Sequence, residues 1–214
     1  MDCKEIAELY KKYQAKENKK WEYANSILYR MCEEEPNHKS KHVIVGKILL
    51  IGRSYAAAIE RRKNANESND DFYYNKVAPK ILSNSKTLDF SLTTLRQSKN
   101  TIEEDLSIIL KTHNFLTSIF VKLTGLEKRS LASKYLHFHC PNKFFIYDSR
   151  ANSAIKKLIK TPNLSVLKRL KKFDPEYGGF VCRMIELQKY LEEQNRKNLT
   201  PRELDSFLLS LNNV

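Results

Sequence analysis

The chain has 214 residues, with 38 Lys and Arg against 25 Asp and Glu and a net charge of +13. That length allows one domain, or two small packed subdomains, with a sizeable core; 41% hydrophobic and 10% aromatic residues exclude a disordered basic tail. Five Gly and six Pro are too few turn residues for a sandwich or a hairpin-built barrel, so an all-α fold is expected.

The first residues, MDCKEIAELYKKY, are charged and amphipathic, unlike a secretory signal. Apolar positions from Ile6 to Leu28, Trp21 among them, predict one helix over 2–33, stopped by Pro36 and Asn37. A second helix is predicted over 39–62. Its stretch Val43 to Gly52 is apolar nearly all round, as in a buried central helix, but Lys47 interrupts it and it is far shorter than the roughly 18 residues of a membrane span. A polar break at 64–71 precedes a shorter helix over 72–82. Residues 83–100 mix both periods and predict a loop with a short helix. Thr101 and Glu104 have capping-box spacing and open a helix that runs to Thr124, where Gly125 can take a positive φ. Helices follow over 128–139, from 148 or 149 onward, over 164–173, over 174–194 and over 201–211, the last with Thr200, Pro201 and Glu203 as its cap. Residues 144–147 read as extended.

Cys3, Cys32, Cys140 and Cys182 are scattered and form no CxxC pair, which fits a reducing, cytoplasmic setting. A His-x-His-Cys run at His137, His139 and Cys140 lacks an evident fourth ligand, so neither a metal nor another cofactor is expected. A pI near 9.5 points to a polyanionic partner, nucleic acid or an anionic membrane surface. The charge is concentrated. Between 121 and 172 thirteen basic residues face only Glu127 and Asp148, a net +11 that leaves +2 for the rest of the chain. Lys122, Lys128, Arg129, Arg150, Lys156, Lys157, Lys160, Lys168 and Arg169 are therefore candidates for phosphate contact.

Within this segment, residues 123–158 read LTGLEKRSLASKYLHFHCPNKFFIYDSRANSAIKKL. A helix stops at a Leu-x-Gly-Leu turn, a second helix follows, and an apolar run ends in one carboxylate at the head of a third. Over these 36 residues the chain resembles the helix-hairpin-helix DNA glycosylases. Leu123, Gly125 and Leu126 match their hairpin, Ile146-Tyr147-Asp148 match the run into the catalytic Asp, and 151–158 resemble the basic helix behind it. The separation of 23 residues from Gly125 to Asp148 fits the 8-oxoguanine glycosylase branch, and the likeness is closest to small bacterial proteins of that kind, some of them in antiphage operons.

The resemblance implies a single helical domain over 1–214 with two helical subdomains flanking a cleft, the hairpin and catalytic-Asp part at about 101–172 packed with the N-terminal helices of 2–82 and the C-terminal helices of 174–211. It implies a DNA N-glycosylase that flips a modified purine such as 8-oxoguanine out of the duplex, with or without lyase activity. Asp148 would stabilise the cationic sugar, and Thr124, Gly125 and Leu126 would bring backbone N–H groups to a phosphate. Thr124 and Glu127 stand where the family has Pro and Gly. Arg129 stands where bifunctional members carry a Schiff-base Lys, and an arginine stays protonated, so Lys128 and Lys134 are the candidate amines. Asp148 can equally cap its helix and Gly125 end one. Two alternatives remain: a catalytically degenerate nucleic-acid-binding protein, such as a defence-system accessory, and a peripheral membrane protein using 164–173 as an amphipathic basic helix.

Overall fold

A computed structural model describes residues 3–15, 21–170 and 172–211; of Cys3, Lys4 and Arg169 it describes the backbone only. Every regular element among them is helical. In chain order they are α1 (Cys3–Gln14), α2 (Glu22–Glu34), α3 (Lys41–Ser54), a 3₁₀ turn (Ile59–Arg62) and α4 (Asn69–Asp71), which runs through a π-helical turn (Phe72–Val77) into α5 (Ala78–Leu82). Then come α6 (Ser85–Gln97), α7 (Leu106–Thr124), α8 (Arg129–His139), α9 (Ser149–Leu158), a 3₁₀ turn (Leu167–Arg169), α10 (Pro175–Asn195) and α11 (Pro201–Ser210). None of these helices is long and apolar enough to cross a membrane.

One hydrophobic cluster runs from Ile6 on α1 to Leu208 on α11. Its centre is α8, which packs against α2, α3 and α7 and is buried at every position from Leu131 to His139. Four of those positions are polar. Three find partners: Ser133 bonds the backbone of Tyr147, Lys134 bonds Ser130 and the Tyr55 carbonyl, and His137 bonds Tyr29 and the Phe144 carbonyl. Both ring nitrogens of His139 have none.

Four predicted elements need correction. The helix expected over 2–33 is two, and Trp21, counted among its apolar positions, is 68% exposed; residues 16–20 of that span lie outside those described. The helix expected over 39–62 stops at Ser54 in a Schellman turn. The Ala57 N–H donates to the Gly52 carbonyl at 2.7 Å and the Ala56 N–H to the Arg53 carbonyl at 3.2 Å, with Ala56 left-handed at φ 53°. Residues 83–100, expected as mostly loop, contain α6. Leu88, Leu92 and Leu95 share its buried face, and the fully outward Phe90 is what blurs the period.

The helix expected over 164–173 is only the 3₁₀ turn Leu167–Arg169. Like charges at Lys168, Arg169 and Lys172 lie one helical turn apart, and Lys172 leaves helical space at φ 55°. Among the described residues of 164–173 the amphipathic helix that a membrane-surface reading requires is not formed. The remaining caps stand: Thr200 and Glu203 form a full capping box, and Gly125 ends α7 at φ 70°. The Thr101–Glu104 box also forms, on the turn that precedes α7.

Candidate active site

The site is assembled from the exit of a hairpin, an irregular return segment and a capping carboxylate; Thr124, Gly125 and Leu126, expected to offer N–H groups to a phosphate, do not line it, and the Gly125 and Leu126 N–H groups are taken by the Val121 carbonyl and the Thr124 hydroxyl. At the end of α7 the Gly125 N–H closes on the Val121 carbonyl at 2.8 Å, and the Thr124 hydroxyl donates to Phe120 at 2.9 Å. No atom lies within 4 Å of where a Gly125 side chain would begin, so the glycine is needed for its positive φ rather than for space. The chain then turns through Leu126–Lys128 into α8.

After α8, residues 144–148 run back along that helix. The Ser133 hydroxyl accepts from the Tyr147 N–H at 2.9 Å, the Tyr177 hydroxyl donates to the Phe145 carbonyl at 3.1 Å, and His137 holds the Phe144 carbonyl at 2.8 Å. This return brings Asp148 to the flank of Lys134. One Asp148 oxygen caps α9 by accepting from the Ala151 N–H at 2.8 Å; the other lies 3.7 Å from the Lys134 ammonium, an ion-pair distance longer than a hydrogen bond. Asp148 thus both caps its helix and faces the lysine.

Lys134 is 4% exposed. Its Nζ donates to the Ser130 hydroxyl at 2.9 Å and to the Tyr55 carbonyl at 3.2 Å, and it lies 5.7 Å from the Tyr55 ring centre. Burial lowers its pKa, opposed by the carboxylates of Asp148 and Asp205. The Arg202 guanidinium lies 5.5 Å from the same ring and pairs with Asp205 at 3.0 Å. Burial pushes the Asp205 carboxyl up to about 7, with Arg202 opposing and Asp148 adding to the rise.

Lys134 and Asp148 open onto a cleft of about 720 Å³. One wall is Tyr55–Ala58 with Arg61 and Arg62; the other is Glu127–Leu131 with Tyr147–Arg150. Of the residues singled out in the sequence, the cleft brings together Lys128, Arg129, Lys134, Asp148 and Arg150. Arg129 is an ion-pair partner of both Glu127 and Asp174, tying the hairpin exit to the cap of α10. Lys122, Lys157, Lys160 and Lys168 are exposed but do not line the cleft. Lys156 is exposed as well and pairs with Glu176 at 3.1 Å. The side chain of Arg169 and all of Lys171 lie outside the described residues.

Tyr135, Phe138, Phe144 and Phe145 are core; Tyr147 and Tyr55 are the rings at the cleft. Sequence reasoning missed Tyr55, Arg61, Arg62, Arg202 and Asp205. Gly52 and the alanine run Ala56–Ala58 were the available signal, since they permit the close turn that swings Arg61 and Arg62 across from the hairpin. Among the described residues no group of three or more His, Cys, Asp or Glu converges as a metal site would.

No protein-family model, curated protein or solved structure matches the chain.

Proposed function

We propose that the protein is a DNA N-glycosylase of the helix-hairpin-helix kind, acting on a modified purine such as 8-oxoguanine, with the two walls of the cleft as its subdomains. The observation that carries this reading is the buried Lys134 held 3.7 Å from the Asp148 carboxylate on the floor of a cation-rimmed cleft. The chemistry fits that pair. A flipped nucleotide would set its sugar over Asp148, whose negative charge stabilises the oxocarbenium ion as the glycosidic bond breaks. Burial raises the share of Lys134 present as the free amine, the form that can attack the sugar carbon. Tyr55 and Tyr147 offer faces for the base.

The first test is binding to a duplex with one non-cleavable abasic analogue against the same duplex intact; the reading requires a strong preference for the abasic duplex. Excision from an 8-oxoguanine duplex should then fall by about 100-fold or more in Asp148→Asn. Borohydride trapping of a protein–DNA adduct should be lost in Lys134→Ala. Equal binding of both duplexes, or undiminished excision by Asp148→Asn, overturns the reading.

One observation favours a second reading, a nucleic-acid-binding protein without chemistry. Arg129 occupies the position at which the bifunctional glycosylases carry their lysine, and Asp174 and Glu127 hold it in ion pairs. That reading predicts salt-sensitive binding to any duplex and no effect of Asp148→Asn beyond stability.

A further inference from the structure

The basic rim of the cleft is drawn from two distant parts of the chain. Arg61 and Arg62 lie on the turn after α3, and Lys128 stands across the opening at the head of α8. The two arginines lower the pKa of Lys128, after burial itself, and only Glu60 pulls the other way. Glu60 is already committed to Arg53 at 2.9 Å and to the Tyr73 hydroxyl. Among the described residues Arg61, Arg62 and Lys128 make no ion pair. The adjacent Arg129 differs, since two carboxylates hold it.

The backbone is bent to produce this arrangement. Ala56 takes a left-handed φ of 53°, a conformation that costs a non-glycine residue roughly 1 kcal/mol. Ala58 and Ile59, both buried, then anchor the turn so that Arg61 and Arg62, beyond Glu60, reach the cleft. Like charges gathered at a concave site with no ion-pair partner of their own repel each other, and a bound polyanion relieves that repulsion.

We propose that Arg61 and Arg62, with Lys128 opposite, form a phosphate clamp that grips the strand on the two sides of the nucleotide seated over Lys134 and Asp148. The inference rests on the glycosylase reading for the occupant of the cleft, but Arg61 and Arg62 were not part of that reading, and Lys128 is here assigned to phosphate rather than to the sugar. Successive phosphates of one strand span the opening, one against the arginine pair and one against Lys128. The clamp neutralises the strand where it must be distorted for the base to leave the stack.

The test is the salt dependence of affinity for the abasic-analogue duplex and for the intact duplex. Wild type is compared with Arg61→Gln/Arg62→Gln and with Lys11→Gln/Lys12→Gln, an equal charge change at two exposed positions on α1. Each single variant, Arg61→Gln and Arg62→Gln, is measured as well. The clamp predicts that the arginine double variant binds the abasic duplex at least 10-fold more weakly at moderate salt. The slope of log affinity against log salt should fall by up to about 2, each single variant accounting for part of it. The α1 variant should match wild type. An unchanged slope and affinity in the arginine variant, or an equal loss in the α1 variant, overturns the clamp. If wild type fails to prefer the abasic duplex but the arginine variant still loses slope on the intact one, the glycosylase reading fails and the clamp stands. A deoxynucleoside monophosphate that binds wild type as tightly as the duplex, and is lost in the arginine variant, overturns the strand assignment in favour of a free nucleotide.

Discussion

Asp205 is buried on α11 with one oxygen on Arg202 and the other without a partner, and its charge acts on both Lys134 and Asp148. Its carboxyl titrates at about 7 in the folded chain against an ordinary 3.8. Between those values the folded state holds a proton that the unfolded state has lost, so this group's contribution to stability declines as pH rises from about 4 to 7. Asp205→Asn has no proton to lose. It should be more stable than wild type at pH 8, by about 2 kcal/mol, because the removed burial cost exceeds the Arg202 pair it gives up. The advantage should vanish near pH 4. Urea midpoints of the two proteins at pH 4 and 8 check this, and an equal difference at both would place the ionisation elsewhere. The same substitution leaves Lys134 facing Asp148 alone. With one carboxylate fewer opposing deprotonation, the pH profile of borohydride trapping should move to lower pH in Asp205→Asn.

At the level of elements, two left-handed turns lead into the walls of the cleft and differ in the residue that makes them. Gly125 ends α7 at φ 70° with open space where a side chain would go. Gly125→Ala should therefore cost only the conformational strain, about 1 kcal/mol, with the hairpin intact. Ala56 carries that strain in the wild-type chain, so Ala56→Gly should stabilise by about 0.5 kcal/mol after the added freedom of the unfolded state is counted. Thermal unfolding of both variants measures the pair, and a destabilised Ala56→Gly would mean its methyl group makes a contact worth more than the strain. A third junction is Asp174, which caps α10 by accepting from the Glu176 and Tyr177 N–H groups and also pairs with Arg129. Asp174→Ala removes the cap and leaves Arg129 with Glu127 alone, a loss of about 2–3 kcal/mol. These junctions also show what was legible beforehand. Gly125, the Thr200 cap, the start of α9 at Asp148 and the all-helical class follow from local chemistry that a sequence displays. The turn at Ala56 was hidden because alanine there reads as helix, and with it were hidden Arg61 and Arg62. The meeting of Lys134 and Asp148, fourteen positions apart, depends on residues 144–148 running back along α8, which Ser133, Tyr177 and His137 enforce through tertiary bonds. The charge count revealed an electropositive segment but not which cations face one opening, because that depends on α8 being buried despite Ser133, Lys134, His137 and His139.

Over the whole molecule, four of the five histidines are buried: His38, His113, His137 and His139. Burial lowers the pKa of each, to about 4 for His113 and His137 and well below the ordinary 6.5 for His139; for His38 the Asp89 carboxylate opposes the fall without reversing it. A histidine held neutral in the folded state binds its proton first in the unfolded state. Stability is therefore fully present above pH 6.5 and falls as pH drops from 6.5 toward 4. His113 and His137 each contribute on the order of 3 kcal/mol to that loss, a sum comparable with the entire stability of many domains. Asp205 works in the opposite direction over the same range but is one group against several. The chain should accordingly be most stable near neutral pH and unfold between pH 6 and 4 at ordinary temperature, well above the range in which carboxylates alone cause acid unfolding. His139 isolates the cause. Both its ring nitrogens are buried without a partner, and its ring stacks on His38 with centroids 5.1 Å apart. His139→Leu removes two unsatisfied polar atoms and one latent charge while keeping an apolar side chain of similar size. It should gain about 1 kcal/mol at pH 7 and more at pH 5, and so move the acid midpoint downward. Far-UV circular dichroism followed from pH 8 to 3 on both proteins decides it: an unmoved midpoint would place the acid sensitivity in the carboxylates rather than in the buried imidazoles.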